Sequence, residues 1–464
     1  MKLIIHKGKN ILSRVGQLAG ELGVKVHAVG GFVRDLYLGK TVTDIDFVVL
    51  GDAIHFAESF KNKYQSGKVV AYPRFGTAAI TYQKYKLEFV TARSESYEKN
   101  SRKPQVSRAD LRSDLSRRDF TINTLLMEVT ENHLGEIIDM FHGIEDIDNR
   151  LIRTPLDPIE TFSDDPLRIL RAIRFATVLE FRIEEKTYQA IIKTRQRLSI
   201  ISQERITEEF RKLILARKPS QGLIMLLETG LLEIIFPELV QLTGVEQRQD
   251  FHHKDVFYHT VQVVDNIAEK SDKFELRLAA LLHDIAKPQT KQFVEGVGWT
   301  FHGHEDLGTR MVERIGRRMR LPLSTIKYVQ KLVRLHLRPM QLVDESVTDS
   351  AIRRLMVEAG NEIDDLMALC RADITSKNPE KVRQYLTNFD MVEQKMQEVE
   401  EKDKLRNFRP AINGNIIMNI LNIPAGPRVG KIKQAIVDAI LDGKIPNQEK
   451  ACLEYMMEIK DDLL

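Results

Sequence analysis

The chain has 464 residues, room for about two to four domains at roughly 100–200 residues each. Lys and Arg number 69 against 66 Asp and Glu, a net charge of +3 that excludes an all-basic packaging protein and a polyacidic chaperone while leaving room for a local basic stripe. Two cysteines (Cys370 and Cys452) exclude a disulfide framework or a cysteine zinc ribbon, and the 43% hydrophobic and 29% charged composition excludes disorder. The apolar run at Met1–Lys7 is too short for a signal peptide and none reaches the ~18 residues of a membrane span, so a cytoplasmic protein is expected.

Residues 1–92 alternate strand and helix patterns. Val24–Val29, Asp46–Leu50, Ala78–Tyr82 and Lys86–Val90 read as strands, the last two as a pair. Residues 94–116 form a polar stretch. From Lys99 to Arg118 it carries Lys99, Arg102, Lys103, Arg108, Arg112, Arg117 and Arg118 against Asp110 and Asp114, which suits either a solvated loop or a functional one. From about 155 onward apolar residues recur three and four apart, the mark of helices. The fold class is α+β, with a small mixed α/β head over 1–155 and a helical neck and body over 156–245. A histidine-rich helical domain over 246–375 and a helical tail over 376–464 complete the chain.

In the head, Val29-Gly30-Gly31-Phe32-Val33-Arg34-Asp35 reads as a strand ending in a glycine turn before a short helix. Two glycines allow close backbone approach to a phosphate, and Arg34 adds a fork of donors. The spacing is neither a Walker A loop nor a dinucleotide-binding fingerprint. Nine residues on, Asp44 and Asp46 stand two apart on a strand, so both carboxylates share one face and Ile45 and Phe47 take the other. Such a pair suits Mg²⁺, with Glu88 on a later strand as candidate third carboxylate. Arg117-Arg118-Asp119-Phe120-Thr121-Ile122-Asn123 then offers two cations for a triphosphate and an amide for a ribose or phosphate, or else a helix cap with surface arginines.

In Ser163-Asp164-Asp165-Pro166-Leu167-Arg168, Ser163 reads as an N-cap, with Asp165 and Arg168 one turn apart on one face. An acceptor beside a donor matches the pairing edge of cytosine and adenine, each with an amine next to an unprotonated ring nitrogen. Guanine and uracil would set a ring N–H against Arg168. Arg171 and Arg174 follow in steps of three and either reach phosphates or hold the Asp165/Arg168 pair.

These motifs, in this order, resemble the bacterial class II nucleotidyltransferases, the tRNA CCA-adding enzymes and bacterial poly(A) polymerases. The likeness covers roughly residues 24–240 and includes a connecting motif at Asp139–Asp146 and Arg150–Arg153. Thr124 stands where Ala is usual and Asp164 where Glu is common. The resemblance implies catalytic Asp44 and Asp46 holding Mg²⁺. It implies a nucleotide site of Gly30, Gly31, Arg34, Asp35, Arg118, Asp119, Asn123, Asp165, Arg168, Arg171 and Arg174, and tRNA, CTP and ATP as partners. It leaves open full CCA addition, addition of only A or CC, or a poly(A) product.

Seven of the 12 histidines fall between 252 and 336: His252, His253, His259, His283 (followed by Asp284), His302, His304 and His336. Imidazole with carboxylate suits a transition metal that activates water. The pattern resembles the HD phosphohydrolase superfamily, in which a later aspartate completes the site; Asp373 fits that place best and Asp349 is its rival. A phosphohydrolase with a vestigial head is the reading from another class. In the tail, Arg428 and Lys431 in a Gly/Pro turn suit either RNA phosphates or simple packing.

Overall fold

The computed structural model describes residues 1–5, 8–96, 105–108, 110–245, 255–343, 348–376, 378–403 and 408–463. Lys99, Arg102, Lys103, His252 and His253 lie outside these residues. The chain divides into two compact units, Met1–Pro237 and Glu238–Leu464.

The first unit opens with α1 (Lys9–Leu22), β1 (Lys25–Val29), α2 (Gly31–Tyr37), β2 (Asp44–Leu50) and α3 (Ala53–Tyr64). Then come β3 (Val69–Tyr72), β4 (Thr77–Tyr82), β5 (Tyr85–Thr91), β6 (Leu126–Glu128) and β7 (Ile137–Ile138). The strands make one sheet in the order β3-β4-β5-β2-β1-β6-β7. The β2–β5 pair is parallel and the other neighbours are antiparallel. Alternation along β2 does what its sequence demands. Ile45 and Phe47 are fully buried, and Phe47 stacks on Phe89, whose ring also meets Phe56 of α3. The acids take the opposite face. Three strands of this sheet were not anticipated, β3, β6 and β7, and the last two have too few residues for a period to register.

Part of the polar stretch is ordered. Arg93–Ser96 pairs with Gln105–Arg108, and α4 (Leu111–Ser116) follows. Asp110 caps α4 by accepting from the Ser113 amide at 2.8 Å. Leu115 packs with Val29, Val48 and Leu126, with Leu111 alongside, so two leucines four apart override the polar composition.

Next come α5 (Gly143–Asp148), α6 (Pro158–Asp164), α7 (Leu167–Leu179), α8 (Glu185–Thr194) and α9 (Gln203–Ile214). Ser163 is not an N-cap; it lies within α6, which Asp157 caps. The break falls at Asp165, with φ −133° and ψ 99°. Pro166 disfavours helical backbone in the residue before it and fits the start of the next helix. A small parallel pair, Leu151–Ile152 with Arg182–Ile183, interrupts the helical run.

In the second unit, α10 (Val256–Ala268), α11 (Phe274–Leu282), α12 (His304–Arg318), α13 (Leu323–Leu335), α14 (Asp349–Ala359) and α15 (Ile363–Asp373) carry the histidine-rich region. A hairpin, Gln292–Val294 with Gly298–Thr300, precedes α12. Helix α16 (Pro379–Asp403) leads to α17 (Gly414–Leu421), α18 (Pro427–Leu441) and α19 (Glu449–Leu463). Ile417, Ile432, Ile436, Cys452 and Met456 form a separate core for these last three helices. Among the described residues, no helix is long and apolar enough to cross a membrane.

Candidate functional site

The head site gathers where β1, β2 and β5 meet. Register sets Asp46 opposite Val29 on one side and Glu88 on the other, and Asp44 opposite Lys86. Asp46, Glu88 and, two residues back, Asp44 therefore point to one face. Burial, reinforced by the charge of Glu88 and relieved in part by Arg118, pushes the Asp46 carboxyl up to about 6. Carboxylates this crowded form an all-oxygen set suited to a hard cation.

Gly30 ends β1 at φ 77° and ψ −137°, a conformation open to glycine. A Cβ there would come within 3.1 Å of Arg118 Nη1 and 3.9 Å of Asp46 Oδ2, so the turn, Arg118 and Asp46 converge. Helix α2 follows at Gly31, as expected. Its Arg34 is buried and held on two sides: Nε and Nη2 donate to the Asp35 carboxylate at 2.9 Å each, and Nη1 donates to Asn123 Oδ1 at 2.7 Å. Asp114, fully buried, accepts from Arg117 Nη2 at 2.5 Å and Arg118 Nη2 at 3.3 Å. Its spacing three and four residues before those arginines was the signal available in the sequence.

Asp119 is the junction between head and neck. Oδ1 accepts from Asn123 Nδ2 at 2.9 Å, and Oδ2 accepts from Arg171 Nε at 2.8 Å. Although burial opposes ionisation, Arg171 and Asn123 outweigh it and hold the carboxyl down at about 2. Arg174 goes elsewhere, donating through Nε to Glu209 Oε2 at 2.5 Å. Neither arginine is given a hydrogen bond to Asp165 or Arg168, although the charge of Asp165 acts on Arg171; steps of three turn each one further around α7. The pair is instead anchored piece by piece. Arg168, 9% exposed, donates to the carbonyls of Arg117 at 2.6 Å and Thr161 at 3.2 Å. Asp165 accepts from the Leu167 amide at 3.2 Å and from Arg205 Nη2 at 3.0 Å. Sequence reasoning missed Arg205 and Glu209, which lie outside the motifs.

In the second unit, His259, His283 and Asp373 form one group of ligand-type atoms, and Asp284, His304 and His336 form another. His259 Nε2 is 2.9 Å from Asp373 Oδ1, and His283 Nε2 is 3.3 Å from the same oxygen. Asp284 faces both groups: Oδ2 is 3.2 Å from His283 Nε2, and Oδ1 is 3.4 Å from His304 Nε2. Each histidine is oriented through Nδ1. His283, His304 and His336 bond the carbonyls of Ala280, Phe301 and Val333, and His259 bonds Thr375 Oγ1. The four Nε2 atoms are thus turned toward one another and the two aspartates, His304 Nε2 lying 3.2 Å from His336 Nε2, and metal sites fix the imidazole tautomer through such Nδ1 bonds. His283 Nε2 and Asp284 Oδ2 are buried and meet only charged neighbours at ion-pair distance, without a well-aligned hydrogen bond, a donor set that fits a cation. Burial disfavours the His283 imidazolium, yet Asp284 and Asp373 raise it to about 10, while burial and that charge push His336 down to about 3. Lys287 Nζ, 2.7 Å from Asp284 Oδ2, is an unanticipated neighbour. Asp349 lies exposed at the start of α14, 4.0 Å from Arg353, and His302 is exposed.

A sheet-based head with clustered acids under a glycine turn, an arginine-bearing helix beside it and a separate cluster of histidines and aspartates mark a nucleotidyltransferase with an added histidine-rich helical domain. The model of the poly A polymerase head domain matches residues 26–153, that of the probable RNA and SrmB-binding site of polymerase A matches 180–242, and the HD domain matches 256–377. The chain is 30% identical to the CC-adding tRNA nucleotidyltransferase of Thermus thermophilus, over 91% of each chain. It is 29% identical to the CCA-adding enzyme of Bacillus velezensis, over 94% of each. Its fold is that of the Bacillus stearothermophilus CCA-adding enzyme in complex with CTP, with a TM-score of 0.70, 23% identity and 99% of both chains covered. The chain belongs to the family of tRNA nucleotidyltransferases and poly(A) polymerases.

Proposed function

We propose that this protein adds C, C and A to the 3′ end of tRNA, using CTP and ATP without a nucleic-acid template. The observation that carries the reading is the shared face of Asp44, Asp46 and Glu88 beneath Gly30 and Arg118. Asp44 and Asp46, with Glu88, would hold Mg²⁺, which when bound activates the 3′-hydroxyl and carries the triphosphate. In each addition the terminal 3′ oxygen of the tRNA bonds to the α-phosphorus, the bridge to the β-phosphate breaks and pyrophosphate leaves. Gly30 and Gly31 admit the phosphates close to the backbone, and Arg34 and Arg118 offset their charge. Asp119 and Asn123 set Arg34 and Arg171, Asp35 holds Arg34 from the other side, and Arg171 and Arg174 line the nucleotide with positive charge. Asp165 accepts from the amine of cytosine or adenine while Arg168 donates to the neighbouring ring nitrogen. Guanine and uracil leave Arg168 facing a donor. Asp44→Ala is expected to abolish addition while leaving tRNA affinity measurable; addition at the wild-type rate by that variant would contradict the role.

A narrower product, CC alone, is the second reading, favoured by the name of the Thermus thermophilus relative. For the other centre, we infer that His259, His283, Asp284, His304, His336 and Asp373 bind transition metal, with Asp284 facing both ligand groups, and that the site hydrolyses phosphoesters. In the tail, exposed Arg428 and Lys431 at the start of α18 are assigned to RNA phosphates.

A further inference from the structure

The hairpin Gln292–Val294 with Gly298–Thr300 lies in the chain between Asp284 and His304, two ligand-type residues of the second centre. Strand pairs this small are marginal in water, and the side chains that hold them together normally gain by burial. Here the apolar side chains stay out: Phe293 is 54% exposed, and Val294 and Val297 beside the turn are exposed as well. Phe293 stands directly opposite Trp299, so both rings occupy one face of the hairpin, 5.3 Å apart and at 73° to each other. Lys291 joins them, its Nζ 4.3 Å from the centre of the Trp299 ring.

The hairpin is tied to that centre at two points. The carbonyl of Phe301, two residues past Trp299, accepts from His304 Nδ1 at 2.8 Å, so the end of the strand sets that imidazole. The Phe301 ring centre lies 5.5 Å from Lys287 Nζ, and the same ammonium is 2.7 Å from Asp284 Oδ2. A track therefore runs from Phe293, Trp299 and Lys291 along about 7 Å of extended chain to Phe301, and through Lys287 to Asp284. Aromatic faces accept any nucleobase by stacking, and lysines beside them accept phosphate. A purely apolar partner would have to strip water from Lys291, whereas a flat ring with an anionic tail satisfies both the rings and the ammonium groups. The tail would end where the histidines and aspartates gather.

We propose that this hairpin is the ring-binding platform of the second centre: Phe293 and Trp299 stack the base of a nucleoside phosphoester, Lys291 steadies its phosphate side, and the ester is presented to the cluster of histidines and aspartates. The inference rests on the phosphoester-hydrolysing reading given above. It narrows the substrate to esters that carry a nucleobase, whether a free nucleotide or the terminal nucleotide of an RNA.

Trp299 is the one tryptophan of the chain, so its fluorescence reports on the platform. The full-length protein, chelated so that nothing is hydrolysed, is titrated with AMP, with glycerol phosphate and with a short oligoadenylate bearing a 3′-phosphate. Saturable quenching by AMP and none by glycerol phosphate is expected. Tighter binding of the oligoadenylate than of AMP assigns the platform to RNA ends, and the reverse to free nucleotides. Phe293→Ala should weaken AMP binding by about tenfold, the scale of one stacked base, with Tm little changed because the ring is exposed. In Mn²⁺-loaded protein that variant and Trp299→Leu should each lower kcat/KM for AMP by about tenfold and leave glycerol phosphate unchanged. Trp299→Phe keeps a ring and should recover part of the loss. A hairpin that only braces His304 would move both esters together, and that result overturns the proposal. So does equal AMP affinity in Phe293→Ala and wild type. Self-association that Phe293→Ala abolishes, without quenching by AMP, assigns the face to a second copy of the chain and overturns it too. Loaded wild-type protein that hydrolyses neither ester overturns the phosphoester-hydrolysing reading, while AMP quenching weakened by Phe293→Ala still upholds the platform.

Discussion

Asp46 is the residue at which the site's chemistry is most exposed to measurement. Its carboxyl has a usual value of 3.8 and a folded value of about 6, so between those limits the folded state holds the proton more tightly than the unfolded chain. Below about pH 4 both states are protonated and there is no cost; as pH rises through 6 the ionised, crowded carboxylate costs stability in full. The wild-type protein without divalent cation is therefore expected to lose stability relative to Asp46→Asn between about pH 4 and 6, read as the difference in Tm. Adding Mg²⁺ at pH 7.5 should raise the wild-type Tm and leave that of Asp46→Asn nearly unmoved; equal shifts would remove the cation from this site. Arg168→Ala should relax refusal of UTP and GTP, seen as incorporation of those nucleotides in single-substrate assays. At this scale the sequence was most readable where chemistry repeats locally. Asp44 and Asp46 share one face of β2 as their spacing implied, Arg34 lies on the short helix after the glycine turn, and His259, His283, Asp284, His304, His336 and Asp373, which the resemblance grouped, are close neighbours. Arg205 and Glu209 were invisible because their partners are 40 and 35 residues away and no local pattern marks them.

Elements built on long periods were legible, and those built on single contacts were not. The alternation of β2 foretold its two faces, and Gly30-Gly31 foretold a strand-to-helix turn. Gly30→Ala tests that turn. Its backbone conformation costs a residue with a Cβ about 1–3 kcal/mol, and the added carbon would press on Arg118. A lowered Tm by chemical or thermal unfolding and a larger fall in nucleotide addition are expected, whereas full activity would show the turn to be tolerant. Strands β6 and β7 were missed because two or three residues carry no period, and α4 because charge concealed its leucine pair. The helix break was misplaced at Ser163, since a good capping residue drew attention from the stronger constraint, Pro166 acting on Asp165.

Each unit of the whole molecule has its own cluster of charged and ligand-type side chains, and the two can be perturbed separately. In the second unit four buried imidazoles and two carboxylates crowd their ligand-type atoms together, so stripping metal with a chelator should lower Tm by several degrees, and Asp373→Ala should erase the difference between chelated and metal-loaded protein. An unchanged Tm would argue that the centre holds no metal. In the tail, Arg428→Ala with Lys431→Ala should weaken tRNA binding and reduce the slope of log affinity against log salt by about 1–2; an unaltered slope assigns that turn to packing. The fold class, a sheet-bearing head before a helical body, was legible because composition and periodicity shift along the chain, whereas the division at Pro237 has no local marker. In the proposed function the protein itself judges the incoming base and stops after three additions. The most direct measurement is a sequencing gel of tRNA lacking its 3′ end, incubated with CTP alone, ATP alone and both. Two additions with CTP, none with ATP and three with both are expected; a lengthening A ladder, or termination at CC with both nucleotides present, would contradict CCA addition.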